Sequence, residues 1–169
     1  MASIITRIAL SLTALATSGC DSTVLPAASS AEFDPIAFFK GHTRGEGELK
    51  KLFSSSIPIT VDSVGRMQNG TLILDQTIRE GSKRPSVRRW TIRRLSHDRY
   101  TGTLTDAVGE VHATVAGPRA YIRYTMRHGL IVEQQLAQQS GGRTVLNRLV
   151  VHKFGARVAT LSETTRKAD

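Results

Sequence analysis

The sequence predicts an all-β protein: a single antiparallel, up-and-down β-barrel of roughly eight to ten strands that follows an N-terminal signal segment. Turn residues, most of them glycines, recur about every ten positions after Phe39. The short segments between them are rich in Val, Ile, Thr and Tyr. They alternate apolar and polar residues, which is the period of a strand with one face against a core. The only helical indication is a turn near Pro35 to Phe39.

The alternation is clearest in residues 119–127, where one face carries Ala120, Ile122, Tyr124 and Met126 and the other carries Arg119, Arg123 and Arg127. Segments 57–62, 72–79, 88–94 and 111–115 show the same period. Short connections require antiparallel neighbours, and a sheet of this size that closes on itself has no exposed edges. A barrel is therefore favoured, and a two-sheet sandwich is the alternative.

The first residues have the pattern of a targeting segment. Arg7 precedes an apolar run, residues 8–16, that is too short to span a bilayer. Small residues then lead directly to Cys20, and this order resembles the lipobox of bacterial lipoproteins. We predict a lipoprotein signal peptide at 1–19, a lipidated Cys20 with a tether at 20–33, and a barrel domain at 34–169. An ordinary cleaved signal or an uncleaved anchor is the alternative.

Lipidation of Cys20 would attach the protein to a membrane, because several acyl chains bind far more firmly than one. The predicted location is the bacterial cell envelope, with the barrel facing the periplasm. Asp21 resembles a signal for retention in the inner membrane and favours it over the outer membrane. Since the sequence holds only one Cys, an internal disulfide is excluded.

The formal net charge of +9, from 23 Lys and Arg against 14 Asp and Glu, points to an anionic partner. Five arginines fall on the polar faces of predicted strands, where they would form a basic outer wall: Arg89, Arg93, Arg119, Arg123 and Arg127. An exported lipoprotein does not meet nucleic acid as its normal partner. The predicted contacts are anionic envelope lipids or polymers. A merely solvated face is the alternative.

The candidate ligand site is the barrel interior, with Trp90, Tyr124, Met126, Asn147 and Arg148 as its predicted residues. A buried Asn147 would require hydrogen bonds from protein or ligand. Arg148 is expected to cap an opening or stack on Trp90, and Phe154 is expected to plug a barrel end. The five histidines have no metal-ligand spacing and no nucleophile motif is present, so we predict no catalytic residue, no metal site and no cofactor.

Several short motifs occur in a defined order: Leu72-Ile73-Leu74-Asp75-Gln76, Arg89-Trp90-Thr91-Ile92, Tyr100-Thr101-Gly102 with Asp106, and Asn147-Arg148 followed by Lys153-Phe154-Gly155. Their order and spacing over residues 33–165 resemble an uncharacterised, domain-of-unknown-function family of proteobacterial lipoproteins. The resemblance implies a lipid-anchored, lipocalin-like barrel and carries no established activity. Family members often have acidic residues at the positions of Gln76 and of residues 133–135, so any ligand role of those acids would be changed here.

These observations together predict a membrane-anchored lipoprotein that binds or carries a small apolar ligand inside a barrel. The alternative is an envelope scaffold that docks anionic lipid, polysaccharide or a partner protein through the arginine wall. An enzyme acting on envelope lipids is a third, less favoured hypothesis.

Overall fold

The computed structural model describes residues 24–27 and 29–168. Cys20 and the predicted signal peptide therefore lie outside the described residues. Among the helices of the described part, none has the length and apolar character needed to cross a bilayer.

One short helix and ten strands make up the described fold. The helix α1 spans Pro35–Phe39, close to the predicted turn. The strands that follow are β1 (Gly41–Lys51), β2 (Ile57–Gln68), β3 (Thr71–Glu80), β4 (Ser86–Arg94), β5 (Arg99–Leu104), β6 (Val111–Ala116), β7 (Arg119–Met126), β8 (Leu130–Gln138), β9 (Thr144–Lys153) and β10 (Ala156–Lys167). A single 3₁₀ turn at Arg127–Gly129 joins β7 to β8.

The ten strands form one closed antiparallel barrel in which each strand pairs with its neighbours in sequence. The first and last strands close it, in register from Thr43 opposite Lys167 to Lys51 opposite Ala159. This pairing confirms the predicted up-and-down barrel. A sandwich is excluded because its two sheets would leave β1 and β10 unpaired as edges.

Two apolar clusters fill the barrel from its two ends. We call the end that carries α1 the α1 end, and the opposite end, formed by the turns at 52–56, 81–85, 105–110, 127–129 and 154–155, the hairpin end. The cluster of the α1 end comprises Phe33, Phe38, Tyr100, Val115, Ala120, Leu136 and Val145. The other cluster comprises Ile59, Val61, Leu74, Trp90, Leu104, Val111, Tyr124, Val132, Leu149 and Leu161.

The chain enters the fold at the α1 end. The Leu25 carbonyl accepts hydrogen bonds from Arg119, and the Phe33 amide donates to the carbonyl of Gly117 in the turn between β6 and β7. Phe33 is 1% exposed and its ring meets Phe38 edge-on. The Phe33 side chain is therefore part of the packed domain.

Closure between β1 and β10 depends on two residues without side chains. A Cβ on Gly47 would lie 2.1 Å from the Ser162 carbonyl oxygen, and one on Gly45 would lie 1.8 Å from the Glu163 carboxylate. Only glycine lets the two strands approach this closely and leaves interior space for Glu163.

Gly47→Ala is expected to lower the free energy of unfolding by about 2–3 kcal/mol, since the added methyl overlaps backbone rather than a movable side chain. Urea denaturation measures the change. The matched control is Lys50→Ala on the same strand, an exposed position whose effect should stay within about 0.5 kcal/mol. Equal effects of the two substitutions would contradict the steric explanation.

Candidate functional site

A cavity of about 70 Å³ lies inside the barrel between the two apolar clusters. Part of its wall is apolar and includes Leu74, Ile92, Val111, Ile122 and Leu136. The rest is lined by side chains that hydrogen-bond: Ser63, Gln76, Arg88, Thr101, Gln134, Asn147, Glu163 and Thr165. The interior thus offers an apolar surface and a set of polar side chains around one cavity.

The first group of polar side chains, which we call the β2–β4 network, centres on Gln76. Its amide nitrogen donates to the Ser63 hydroxyl at 3.0 Å. Its amide oxygen accepts from the Trp90 indole at 2.9 Å and from the Arg88 guanidinium at 2.8 Å. The Arg88 guanidinium also lies 5.9 Å from the centroid of the Trp90 ring. This network fixes the indole in the cavity wall with a cation beside it.

The second group, the β8–β10 network, centres on Asn147. The Gln134 amide donates to the Asn147 carbonyl oxygen at 3.0 Å, and the Asn147 amide donates to Glu163 at 3.2 Å. The Thr165 hydroxyl donates to the other Glu163 oxygen at 2.7 Å. Strand register places these residues together, because Asn147 lies opposite both Glu163 on β10 and Leu136 on β8.

Hydrogen-bonding capacity remains in this interior. The amide oxygen of Gln134 and the hydroxyl of Thr43 are buried without a hydrogen-bond partner. Glu163 is only 9% exposed, and none of the ion pairs found between described residues includes it. A buried acceptor without a hydrogen bond, or a buried carboxylate without a cation, costs free energy, so these atoms favour a ligand that donates hydrogen bonds.

The helix α1 covers the cavity, and Pro35 and Phe39 form part of the cavity wall. Asp34 caps the helix by accepting from the amides of Ile36 and Ala37, and it pairs with Arg94 at 2.7 Å. Lys167, from the last strand, donates to the carbonyls of Ala37 and Lys40. These polar contacts, together with the Phe38 side chain buried in the apolar cluster of the α1 end, hold the five-residue helix over the cavity.

The predicted interior residues divide into three groups. Trp90 and Asn147 line the cavity. Tyr124 and Met126 belong to the packed hairpin-end half, where the Tyr124 ring meets Trp90 edge-on at 5.7 Å. Arg148 alternates with Asn147 and lies on the outer face of β9. The expected stacking of Arg148 on Trp90 is wrong, because Arg88 occupies that place.

Phe154 does not plug the barrel, since its side chain is 95% exposed at the tip of the β9–β10 hairpin. The two-residue turn at 154–155 leaves the ring no room to fold back between the strands.

The five predicted wall arginines lie on one side of the barrel but not as a continuous patch. Arg89 and Arg93 are on β4, Arg119 and Arg123 are on β7, and β5 and β6 separate them. Arg127 is in the turn after β7. Arg89 forms an ion pair with Asp75 at 2.5 Å, and Arg123 lies 3.7 Å from Glu133. The Arg119 guanidinium donates a hydrogen bond to the Leu25 carbonyl. Much of this positive charge already has an internal partner.

Sequence reasoning missed most of the polar interior. The inward orientation of Arg88 could have been predicted, since alternation places this residue on the same face of β4 as Trp90. Gln76 and Gln134 stand out in the sequence only as departures from a family pattern. Glu163 carries no signal of its own, because an isolated acid near the end of a chain is usually solvated. In the described residues, no three His, Cys, Asp or Glu side chains are grouped in a way that would hold a metal ion.

The ion pairs of Asp75 make the free energy of unfolding depend on pH in the acidic range. Hydrogen bonds from Arg89 and then Arg66 lower its pKa from 3.8 to about 2. The stabilisation is therefore present above pH 3.8 and is lost as the pH falls towards 2. Asp75→Asn should lower the free energy of unfolding at neutral pH by no more than about 1 kcal/mol, because the pairs are solvent-exposed.

Urea denaturation across this pH range measures the effect, and wild type and Asp75→Asn should converge at the acidic limit. Arg89→Gln removes the main cause and should remove most of the same pH dependence. A difference between wild type and Asp75→Asn that persists unchanged at the acidic limit would contradict the assignment.

Comparison with solved structures identifies similar barrels. The structure of the S-type phycobiliprotein lyase CPES from Guillardia theta has a TM-score of 0.62 and 7% sequence identity, and the match covers 79% of this chain and 91% of the lyase. A redesigned β-barrel matches with a TM-score of 0.42 and 10% identity over 85% of this chain and all of the design. At such identities the likeness to the lyase shows the fold alone, which is lipocalin-like.

No curated protein matches the sequence. A family model described as "Protein of unknown function (DUF3833)" matches residues 14–167, which is nearly the whole chain. The resemblance seen in the sequence motifs is thereby confirmed at the level of an uncharacterised domain family, and the chain belongs to DUF3833.

Proposed function

We propose that this barrel is a non-enzymatic binding protein for a small molecule with an apolar body and a head that donates hydrogen bonds, such as a hydroxyl or an amine. The observation that carries the proposal is the interior cavity whose lining combines apolar side chains with Gln134, whose amide oxygen has no hydrogen-bond partner, and with the buried Glu163 carboxylate. In a barrel filled only by its own side chains, buried polar atoms without hydrogen-bond partners would lower the stability of the fold with no compensating interaction.

The polar atoms select the head of the ligand. Gln134 offers a carbonyl oxygen that accepts no hydrogen bond, and Glu163 offers a buried carboxylate that is connected to Gln134 through Asn147. Both are acceptors, so a hydroxyl or an ammonium group satisfies them. The ligand's apolar body would contact Leu74, Ile92 and Ile122. The predicted apolar ligand is thus refined to one with a polar end.

Entry would occur at the α1 end. The cavity of about 70 Å³ is smaller than the roughly 150 Å³ that accommodates benzene in a core, so a ligand of that size needs additional space. Displacement of α1 supplies this space, because Pro35 and Phe39 leave the cavity wall with it. In this proposal the helix is a lid held by the buried Phe38 side chain and by the polar contacts of Asp34 and Lys167, and Phe38 must leave its cluster for the lid to open.

The binding barrel would be held at a membrane of the bacterial cell envelope by acyl chains on Cys20. This part of the proposal rests on the lipobox-like residues that end at Cys20 and on the absence of any other cysteine in the sequence. The arginine wall remains available for anionic envelope lipid or polymer, mainly through the exposed Arg93 and Arg127.

Native mass spectrometry of the full-length protein extracted from its own envelope tests the ligand proposal. The wild type should carry a small bound molecule. Glu163→Gln keeps the shape of the side chain and removes its charge, and it should lower occupancy about tenfold or more. The matched control Ser162→Ala lies on the same strand but faces outward, and it should retain the ligand.

The emission of Trp90, the only tryptophan, gives a second measurement because its indole lines the cavity. Removal of the bound molecule should change this emission in the wild type. Equal occupancy in wild type and Glu163→Gln, or a wild type without any bound molecule, would overturn the proposal.

The anchor is tested by Cys20→Ala. The variant should lose acyl labelling and move from the membrane fraction to the soluble fraction after cell lysis. Acyl labelling that persists in the variant would show that Cys20 is not the attachment site.

A further inference from the structure

Two phenylalanine side chains protrude from the hairpin end of the barrel. Phe53 is 98% exposed in the β1–β2 turn and Phe154 is 95% exposed in the β9–β10 turn. These turns are neighbours, because β1 pairs with β10 and the Leu52 amide donates to the Val158 carbonyl at 2.8 Å. We call Phe53 and Phe154 the aromatic tips. Together with the half-exposed Leu52 they form an apolar projection.

Turn geometry does not explain these rings. Phe154 and Gly155 have φ values of 51° and 79°, like Asn69 and Gly70 with 47° and 74° in the equivalent two-residue turn between β2 and β3. Asn-Gly is the preferred pair in this turn, whereas a bulky residue with positive φ is strained. Phe53 also has a positive φ, of 60°. Both tips therefore carry a large apolar residue where folding alone favours a small or polar one.

A basic cleft borders Phe53, one of the two aromatic tips. It has a volume of about 670 Å³ and is lined by Lys50, Lys51, Arg148 and Arg157, by Ser54, Ser55 and Thr160, and by Leu52, Phe53, Val158 and Ala159. No acidic side chain is among these lining residues. Lys50 and Arg157, and Lys153 next to Phe154, form no ion pair with any described residue. The nearby Glu80 is already engaged by Lys51 and Lys83.

We propose that the hairpin end docks on the surface of a bilayer that contains anionic lipid. The aromatic tips would enter the headgroup and upper acyl region, and Lys50, Lys153 and Arg157 would contact lipid phosphates. Exposed aromatic side chains surrounded by basic ones are the composition that binds at such an interface. This surface is separate from the interior cavity and from the wall arginines on β4 and β7, so the inference stands or falls independently of ligand binding.

The shape of this end favours a bilayer over a protein partner. The rings stand on convex hairpin tips, and a protein would need matching pockets for both of them, whereas a fluid interface accepts protruding side chains without such complementarity. Basic residues on both hairpins complement a continuous negative surface.

The test uses full-length Phe154→Trp with vesicles whose lipid chains are brominated near the headgroup, because bromine quenches tryptophan on contact. Phosphatidylcholine vesicles with and without phosphatidylglycerol are compared. The indole introduced by Phe154→Trp should be quenched on the anionic vesicles, and the wild type, whose Trp90 is buried, gives the background emission. The matched control is Val64→Trp, at an exposed apolar position on the wall of β2, and its added indole should be quenched much less. Every variant carries the same N-terminus, and Val64 lies towards the α1 end, where the chain enters the fold. Attachment through the N-terminal segment alone should therefore quench Val64→Trp at least as strongly as Phe154→Trp.

Adding Lys50→Gln and Arg157→Gln to Phe154→Trp should weaken vesicle partitioning about 30-fold. Weak quenching of the Phe154→Trp variant on anionic vesicles, or quenching equal to that of Val64→Trp, would overturn the proposal. So would partitioning that is insensitive to both substitutions and to phosphatidylglycerol. Absence of quenching would leave a protein as the partner of the aromatic tips.

Discussion

The pairing of β1 with β10 is the constraint on which the rest of the structure depends. Nine residues of each strand lie in register, and they convert an open meander into a barrel with an inside. Gly45 and Gly47 make this possible, because a side chain at either position would occupy space taken by Glu163 or by the backbone of Ser162. The same two glycines therefore close the fold and set the place of the buried carboxylate. Architecture and site chemistry are coupled at one strand pair.

The interior is a polar layer between two apolar clusters, and this arrangement has an energetic cost. An interior of well-packed apolar side chains would be more stable than one containing Gln134, Glu163 and Thr43 with incomplete hydrogen bonding. Each network fixes its own members: Gln76 orients Trp90 and Arg88, and Asn147 orients Gln134 towards Glu163. The cavity lies where the two networks face each other. A ligand that donates hydrogen bonds to these buried atoms would remove this free-energy cost. Ligand binding would therefore stabilise the folded protein.

The two-residue period was sufficient to predict the barrel, since alternation identifies both the strands and their inner faces. This period predicts three side chains inside the barrel, and all three are buried: Trp90, Tyr124 and Asn147. The same alternation also indicates that Arg88 faces inward and that Arg148 faces outward. The assignment of Arg148 to the ring of Trp90 ignored this alternation. The sequence could not predict which side chains of neighbouring strands meet, because the contact between Asn147 and Glu163 depends on the register of β9 with β10. The solvent exposure of Phe154 could not be predicted either, since an aromatic residue is normally assigned to a core.

The two ends of the barrel differ in chemistry and in what they can reach. The chain enters at the α1 end, where residues 25 and 33 are fixed to β7 and to the turn before it. The five residues 20–24 span at most about 18 Å when extended. The aromatic tips lie at the far end of β1, an 11-residue strand that, with barrel tilt, corresponds to about 25 Å along the axis. If Cys20 is lipidated as we propose, its acyl chains and the rings of Phe53 and Phe154 could share one bilayer only with the barrel lying on its side. With the same proposed anchor, an upright barrel would present its hairpin end to a second surface, and α1, the proposed lid, would face the anchoring membrane.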